Sequence, residues 1–180
     1  MSPSPPRPND ADSAAELSHL DEHGRARMVD VGEKAVTRRR AEAEVRVLLG
    51  EELLARVFAG GLPKGDVLAV ARIAGIQGGK RTSDLVPLCH PLPLEQLTID
   101  FEESAPGELR IVAVARCSGR TGVEMEALCA CSVAALTVYD MCKAVRKDIR
   151  VDGLRLLAKD GGKSGAYRAD GDRSTTEPDA

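Results

Sequence analysis

The stretch LTIDFEESAPGELRIVAVA (97–115), followed shortly by TGVEMEALCACSVAALTVYDMCKAVRK (121–147), decides the fold. Leu97, Ile99 and Phe101 alternate with Thr98, Asp100 and Glu102, the pattern of a strand with one buried face. Ser104-Ala105-Pro106-Gly107 turns the chain, and Leu109 to Ala115 reads as the returning strand. From Thr121 to about Lys147 the apolar positions, among them Ala127, Ala130, Ala134, Leu136 and Val138, predict one long helix. Upstream, Ala41, Ala43, Val45 and Val47 alternate with Glu42, Glu44 and Arg46 as a further half-buried strand. Glu51 to Ala59 carries Leu53, Leu54, Val57 and Phe58 at helical spacing and stops at Gly60-Gly61. Lys64-Gly65-Asp66 opens a second helical stretch through Val67, Val70 and Ala74, and after an Asp152-Gly153 turn Leu154 to Ala158 forms the last strand. The order β-α(α)-β-β-α-β is that of the ferredoxin-like split βαβ: an α+β domain, with an antiparallel sheet and helices packed on one face.

One domain of ordinary size fits 180 residues. Residues 1–16 are rich in Pro, Ser, Asp and Ala and read as a disordered tail; 17–168 hold the domain, and 169–180 read as a second tail. The formal net charge of −3 gives no general attraction to nucleic acid or to an anionic membrane. Aromatic residues are only 2% of the chain, which removes the stacking platforms that single-stranded nucleic acid binders use. No run is long and apolar enough to span a bilayer, and no secretory-type segment opens the chain, so a cytoplasmic location is expected. Five cysteines, Cys89, Cys117, Cys129, Cys131 and Cys142, occur without a CxxC, which fits reduced thiols better than disulfides or a cluster site.

Thr121 and Glu124 have capping-box spacing, so Glu124 reads either as a helix cap or as a site carboxylate, whereas Glu126 has no capping role. Asp140, Lys143 and Lys147 fall on one face of the expected helix, and Glu126 shares that face nearly four turns away. Asp140 and Lys143 are either a solvated ion pair or, since Leu136, Val138, Met141 and Ala144 surround them, a partly desolvated acid–base pair with a lysine lowered toward neutrality. His90 is held beside Cys89 in PLCHPLPL (87–94), where Pro87, Pro91 and Pro93 exclude helix, and suits a binding role. His19 and His23 have the spacing of two metal ligands on a helix, but Gly24 and the lack of periodicity argue against one, and no metal or cofactor is expected. GGKRTSD (78–84) and DGGKSG (160–165) lack the Walker spacing and read as anion-presenting loops or as plain solvated turns.

Taken together, HLDEHGRARMVDV (19–31), KGDVLAVARIAGIQGGKRTSDLVPLCHPLPL (64–94), TGVEMEALCACSVAALTVYDMCKAV (121–145) and RLLAKDGGKSG (155–165) resemble the cyclic pyranopterin monophosphate synthase family, the C protein of molybdenum cofactor biosynthesis. The resemblance runs in order from His19 to Tyr167. It implies a homohexamer of three dimers with active sites between subunits. It implies a lyase that rearranges a 3′,8-cyclised dihydro-GTP into cyclic pyranopterin monophosphate with release of diphosphate, supplied by an upstream radical S-adenosylmethionine enzyme. Asp140, Lys64 and Lys143 match the family's catalytic aspartate and lysines. Leu88, Cys89, His90, Met125 and Glu126 match its substrate-binding positions, and Glu124, Lys159, Lys80 and Arg81 look like further site groups. A ligand-binding regulatory module of the same fold is the competing reading, distinguished by the absence of turnover.

Overall fold

The computed structural model describes residues 25–169 apart from Gly61 and Ser164. The expected tails, save Ala169, lie outside the described residues, as do His19 and His23. Residues 25–30 belong to a separate unit, Met1–Asp30, and residues from Val31 onward form one compact unit.

The second unit runs β1 (Thr37–Leu48), α1 (Glu51–Phe58), α2 (Val67–Lys80), α3 (Thr82–Leu85), β2 (Leu94–Ala105), β3 (Glu108–Gly119), α4 (Glu124–Cys142), β4 (Arg150–Asp160) and β5 (Tyr167–Arg168). The sheet order is β2-β3-β1-β4-β5 with every pair antiparallel. The first four strands and their helices make the expected split βαβ α+β fold. Alternation determines which side is covered: Ala41, Ala43, Val45 and Val47 of β1 and Leu109, Ile111, Ala113 and Ala115 of β3 are all fully buried. Ala41 pairs with Ala115 and Ala43 with Ala113, so the sheet's middle is a shallow floor of methyl groups. Helix α4, in which the small residues Ala127, Ala130, Cys131, Ala134 and Ala135 are all buried, lies on it, close enough for Cys131 Sγ to lie 3.3 Å from the Ala43 carbonyl.

Helix α2 packs antiparallel on α4, with Gly75 against Ala130 and Ala134 and Gly79 against Glu126. A Cβ on Gly75 would stand 2.8 Å from the Ala130 carbonyl, so glycine is required by proximity there. Gly78 and Gly79 are likewise buried in the last turn of α2, which corrects the reading of GGKRTSD as a loop. By length and composition α4 could cross a membrane, but half of its apolar window is buried within the protein, and packing accounts for its apolarity.

Three other boundaries differ from the sequence reading. Val123, not Thr121, precedes α4, and no side chain caps it, so there is no capping box. The helix ends at Cys142, whose carbonyl accepts from Val145 and Arg146 in a tight turn. Arg146 is held by Asp148 at 2.6 and 2.7 Å and by the Leu49 carbonyl at 3.3 Å, which pulls the chain off the helical path and removes Lys147 from the Asp140 face. Asp152-Gly153 is not a turn before a strand but a kink inside β4, where the register with β1 shifts and Gly153 takes φ +66°.

The sheet face away from the helices is bound by charge. Glu44 is 1% exposed and accepts from Arg110 and, at 2.7 Å, from Arg155. Burial alone would raise the Glu44 carboxyl, but hydrogen bonds from the two guanidinium groups outweigh it and hold the group below the ordinary carboxylate range.

Candidate active site

Lys64 lies in the connection from α1 to α2, just before Asp66, whose Oδ1 accepts from the Ala69 N–H at 2.9 Å and caps α2. Gly65, at φ +88°, lets the chain turn into that cap. Because α2 and α4 are antiparallel, this end of α2 meets the C-terminal end of α4. Lys64 Nζ donates to Asp140 Oδ2 at 3.0 Å and to the Asp140 carbonyl at 3.0 Å, while Lys143 Nζ lies 2.6 Å from Oδ1. One aspartate thus gathers both lysines singled out from the sequence. Hydrogen bonds from Lys143 and then Lys64 hold the Asp140 carboxyl below its ordinary range, and the bond to Asp140 raises Lys143. Side chains here are about half exposed, 56% for Asp140 and 52% for Lys143. Of the two readings open from the sequence, the single chain shows the solvated ion pair: the side chains are half exposed, and the bond to Asp140 raises Lys143 rather than lowering it.

The opposite end of α4 holds the other residues. Glu126 is only 4% exposed, and burial first, with repulsion from Glu124, raises its carboxyl against a bond to its own backbone N–H. Leu88, Cys89 and His90 follow α3 as a half-buried loop, in which the Cys89 N–H donates to the Val86 carbonyl at 3.0 Å. Burial, then the charges of Glu126 and Cys129, push the Cys89 thiol up, which disfavours a thiolate at this position. Met125, next to Glu126 in sequence, is 37% exposed. Glu124 Oε1 lies 3.7 Å from Lys159 Nζ.

Beside Glu124 opens a cleft of about 850 Å³ whose charged walls are Lys34, Arg39, Arg120, Lys159, Lys163 and Glu124. Arg39 Nε donates to the Gly119 carbonyl at 3.3 Å, and Arg120 donates to the carbonyl of Gly32. Five cations around one carboxylate give this cleft a charge suited to a polyanion. Sequence reading missed Lys34, Arg39 and Arg120. Arg39 was reachable: carrying the β1 alternation back from Ala41 puts it on the α4 side. Lys80 and Arg81 are exposed at the end of α2 and are not among the cleft's lining residues. Among the described residues no group of three or more His, Cys, Asp or Glu has the arrangement of a metal site.

The two clusters sit at opposite ends of one helix. Glu126 and Asp140 of α4 are about 21 Å apart along its axis at 1.5 Å per residue. No ligand of nucleotide size reaches both within one chain as a reacting pair.

An α+β chain of this topology, with an aspartate bridging two lysines at one end of α4 and a polycationic cleft beside Glu124 at the other, has groups suited to moving protons and to attracting a phosphorylated small molecule. The family model described as the MoaC family matches residues 28–162, and the chain belongs to that family. It is 57% identical over 157 residues to a cyclic pyranopterin monophosphate synthase of Chloroflexus aggregans (strain MD-66 / DSM 9485), covering 87% of this chain and 95% of that protein. It is 58% identical over 154 residues to the protein of the same name from Chloroflexus aurantiacus (strain ATCC 29366 / DSM 635 / J-10-fl), covering 85% and 94%.

Proposed function

We propose that this protein is a cyclic pyranopterin monophosphate synthase, a cytoplasmic lyase of molybdenum cofactor biosynthesis. It converts (8S)-3′,8-cyclo-7,8-dihydroguanosine 5′-triphosphate, received from a radical S-adenosylmethionine enzyme, into cyclic pyranopterin monophosphate and diphosphate. The feature that carries this reading is the complementarity of the two ends of α4: one holds lysines and an aspartate suited to proton transfer, the other a cluster of cations suited to a polyphosphate beside the buried Glu126. Each cluster is half of a site, so the working enzyme is an assembly, in the family's manner a hexamer of three dimers.

The outward residues of α4 suit such a joint. Met125, Cys129, Ser132, Leu136 and Asp140 recur every three or four positions along it, and Leu136 is 63% exposed. Two copies crossing antiparallel near Ser132 set the Glu126 end of one against the Asp140 end of the other, carboxylates facing lysines, and so form two identical sites.

In such a site Lys34, Arg39, Arg120 and Lys159 hold the triphosphate and stabilise the charge of the departing diphosphate. His90 and Cys89 line the space next to Glu126. Glu126, kept protonated or easily protonated by burial, offers a hydrogen bond to the purine-derived ring without an aromatic partner. Asp140 fixes Lys143 and Lys64 as ammonium donors until the assembled site excludes water. There either lysine can pass its proton to the opening five-membered ring, and the freed amine takes one from the hydroxyl that closes on phosphorus.

Purified protein incubated with the cyclised nucleotide tests this. The expected result is one diphosphate per pterin, the pterin read by fluorescence after oxidation. Tight binding of the nucleotide with neither product would replace the enzyme by a regulatory binding module.

A further inference from the structure

We propose that Thr37 is a binding residue for the triphosphate, its hydroxyl donating to a phosphate oxygen in the cleft beside Glu124. The inference rests on the reading of that cleft proposed above.

Thr37 opens β1, in register with Gly119 of β3. Alternation puts it on the same side of the strand as Arg39 and Ala41, the side that α4 covers. The walls of the cleft follow that alternation: Thr37 and Arg39 belong to them, and Arg38 and Arg40 do not. Thr37 Oγ1 is buried, yet it has no hydrogen-bond partner among the described residues. Gly119 opposite has no side chain to offer, and its carbonyl already accepts from Arg39 Nε at 3.3 Å. A buried hydroxyl without a partner costs free energy, so the fold carries here a donor that it does not use itself.

Chemistry assigns the ligand. The ammonium and guanidinium groups on the cleft walls only donate hydrogen bonds, so none of them can accept from a threonine hydroxyl. Glu124 is the one carboxylate among the lining residues. It lies against Lys159 and folds back over Gly122, where an added Cβ would overlap its oxygens. An oxyanion drawn in by the cations brings the missing acceptor. Thr37 is half buried while its Oγ1 is covered. A turn of about 120° about Cα–Cβ, to the next staggered position, moves the hydroxyl out of that place and toward the anion. The five cations supply attraction from any direction; a neutral hydroxyl adds no charge and fixes where one oxygen sits.

Titration calorimetry of inorganic triphosphate into the full chain, beside steady-state kinetics and a thermal melt, tests the contact. Thr37→Val replaces the hydroxyl by a methyl of nearly the same size. It should weaken triphosphate binding about tenfold, as loss of a hydrogen bond to a charged group does. The KM for the cyclised nucleotide should rise in step, with kcat within about twofold of wild type. The melting temperature of the ligand-free variant should hold or rise, because an unpartnered hydroxyl has been removed. Thr37→Ser keeps the hydroxyl and should bind within about threefold of wild type. Unchanged triphosphate binding by Thr37→Val overturns the proposal. So does a lowered melting temperature with binding lost equally in Thr37→Ser, the signature of a packing role. Wild type that binds no triphosphate overturns both the polyanion reading of the cleft and this proposal. Triphosphate binding that depends on Thr37 in a protein with no turnover would overturn the enzymatic reading and leave the contact standing.

Discussion

Lys64 Nζ lies 3.0 Å from Asp140 Oδ2, which joins two residues 76 positions apart into one half of the candidate site. The contact follows from the antiparallel packing of α2 on α4 and not from any local motif. It also makes the Asp140 carboxylate a shared acceptor: Lys143 holds one oxygen at 2.6 Å and Lys64 the other. Removing the carboxylate should therefore disturb both lysines at once.

Asp140→Asn keeps the shape but not the charge. With its side chain 56% exposed, the loss of the ion pairs should leave the melting temperature nearly unchanged, since water screens exposed pairs and they add little to stability. Turnover should fall by about 10²–10⁴, the usual contribution of positioned acid–base groups. Pterin and diphosphate release, measured beside a thermal melt, check both halves. Activity within a few-fold of wild type would remove Asp140 from the mechanism.

Mixing inactive variants tests whether sites form between chains. Because Lys64 and Asp140 touch within one chain, variants at these two positions should not rescue each other. Asp140→Asn and Glu126→Gln lie on opposite clusters and should. In random dimers of the two, about a quarter of the sites combine the intact halves, so activity should return to about a quarter of wild type after subunit exchange. Rescue by the Lys64 and Asp140 pair, or none by the Asp140 and Glu126 pair, would show the halves to be divided differently.

Much of this was legible in the sequence, for physical reasons that also explain the rest. The β2–β3 hairpin and the core of β1 announce themselves because each has one dry and one wet face. Before Ala41 the pattern of β1 fades, since Arg38, Arg39 and Arg40 place charge on both faces, so Arg39 is reached only by extending the alternation back from Ala41. Helix α4 is apolar nearly all round, buried on one side and outward-facing with Met125 and Leu136 on another, so periodicity could not place its ends. Its C-terminus is set by the distant Arg146–Leu49 contact, which no local signal carries. Asp140 and Lys143 were visible as i, i+3 neighbours, but Lys64 stood out only as a cation at a loop position, and the family resemblance alone linked it to Asp140.

The helix-free face makes stability depend on acid. Glu44 is held below its ordinary carboxyl value of 4.5, so its contribution is full above that value and is lost as pH falls through the lower, folded-state value. Glu44→Gln should cost about 2 kcal/mol at neutral pH, less than the roughly 3–5 of a fully buried broken pair, because Arg155 is half in solvent. The gap between wild type and variant in urea melts should be constant from pH 8 to about 5 and shrink at more acid pH. A gap that widens on acidification would mean that Glu44 is not ionised in the fold.

Close approach of α2 and α4 gives the last prediction. A methyl at Gly75 would overlap Ile99 Cδ1 and stand 2.8 Å from the Ala130 carbonyl. The isoleucine tip can swing aside, but the backbone oxygen cannot without parting the helices. Alanine also favours a helix over glycine by about 1 kcal/mol, which offsets part of the clash. Gly75→Ala should thus cost about 1–2 kcal/mol net, and Gly75→Val more, within the range of overpacked cores and beyond it. Because the same packing carries Lys64 to Asp140, kcat should fall in Gly75→Ala even at temperatures where the protein is fully folded. A Gly75→Ala variant with a lowered melting temperature and unchanged kcat would show that the Lys64–Asp140 contact survives a shift of the helices. An unchanged melt as well would show the α2–α4 spacing to be looser than 2.8 Å implies.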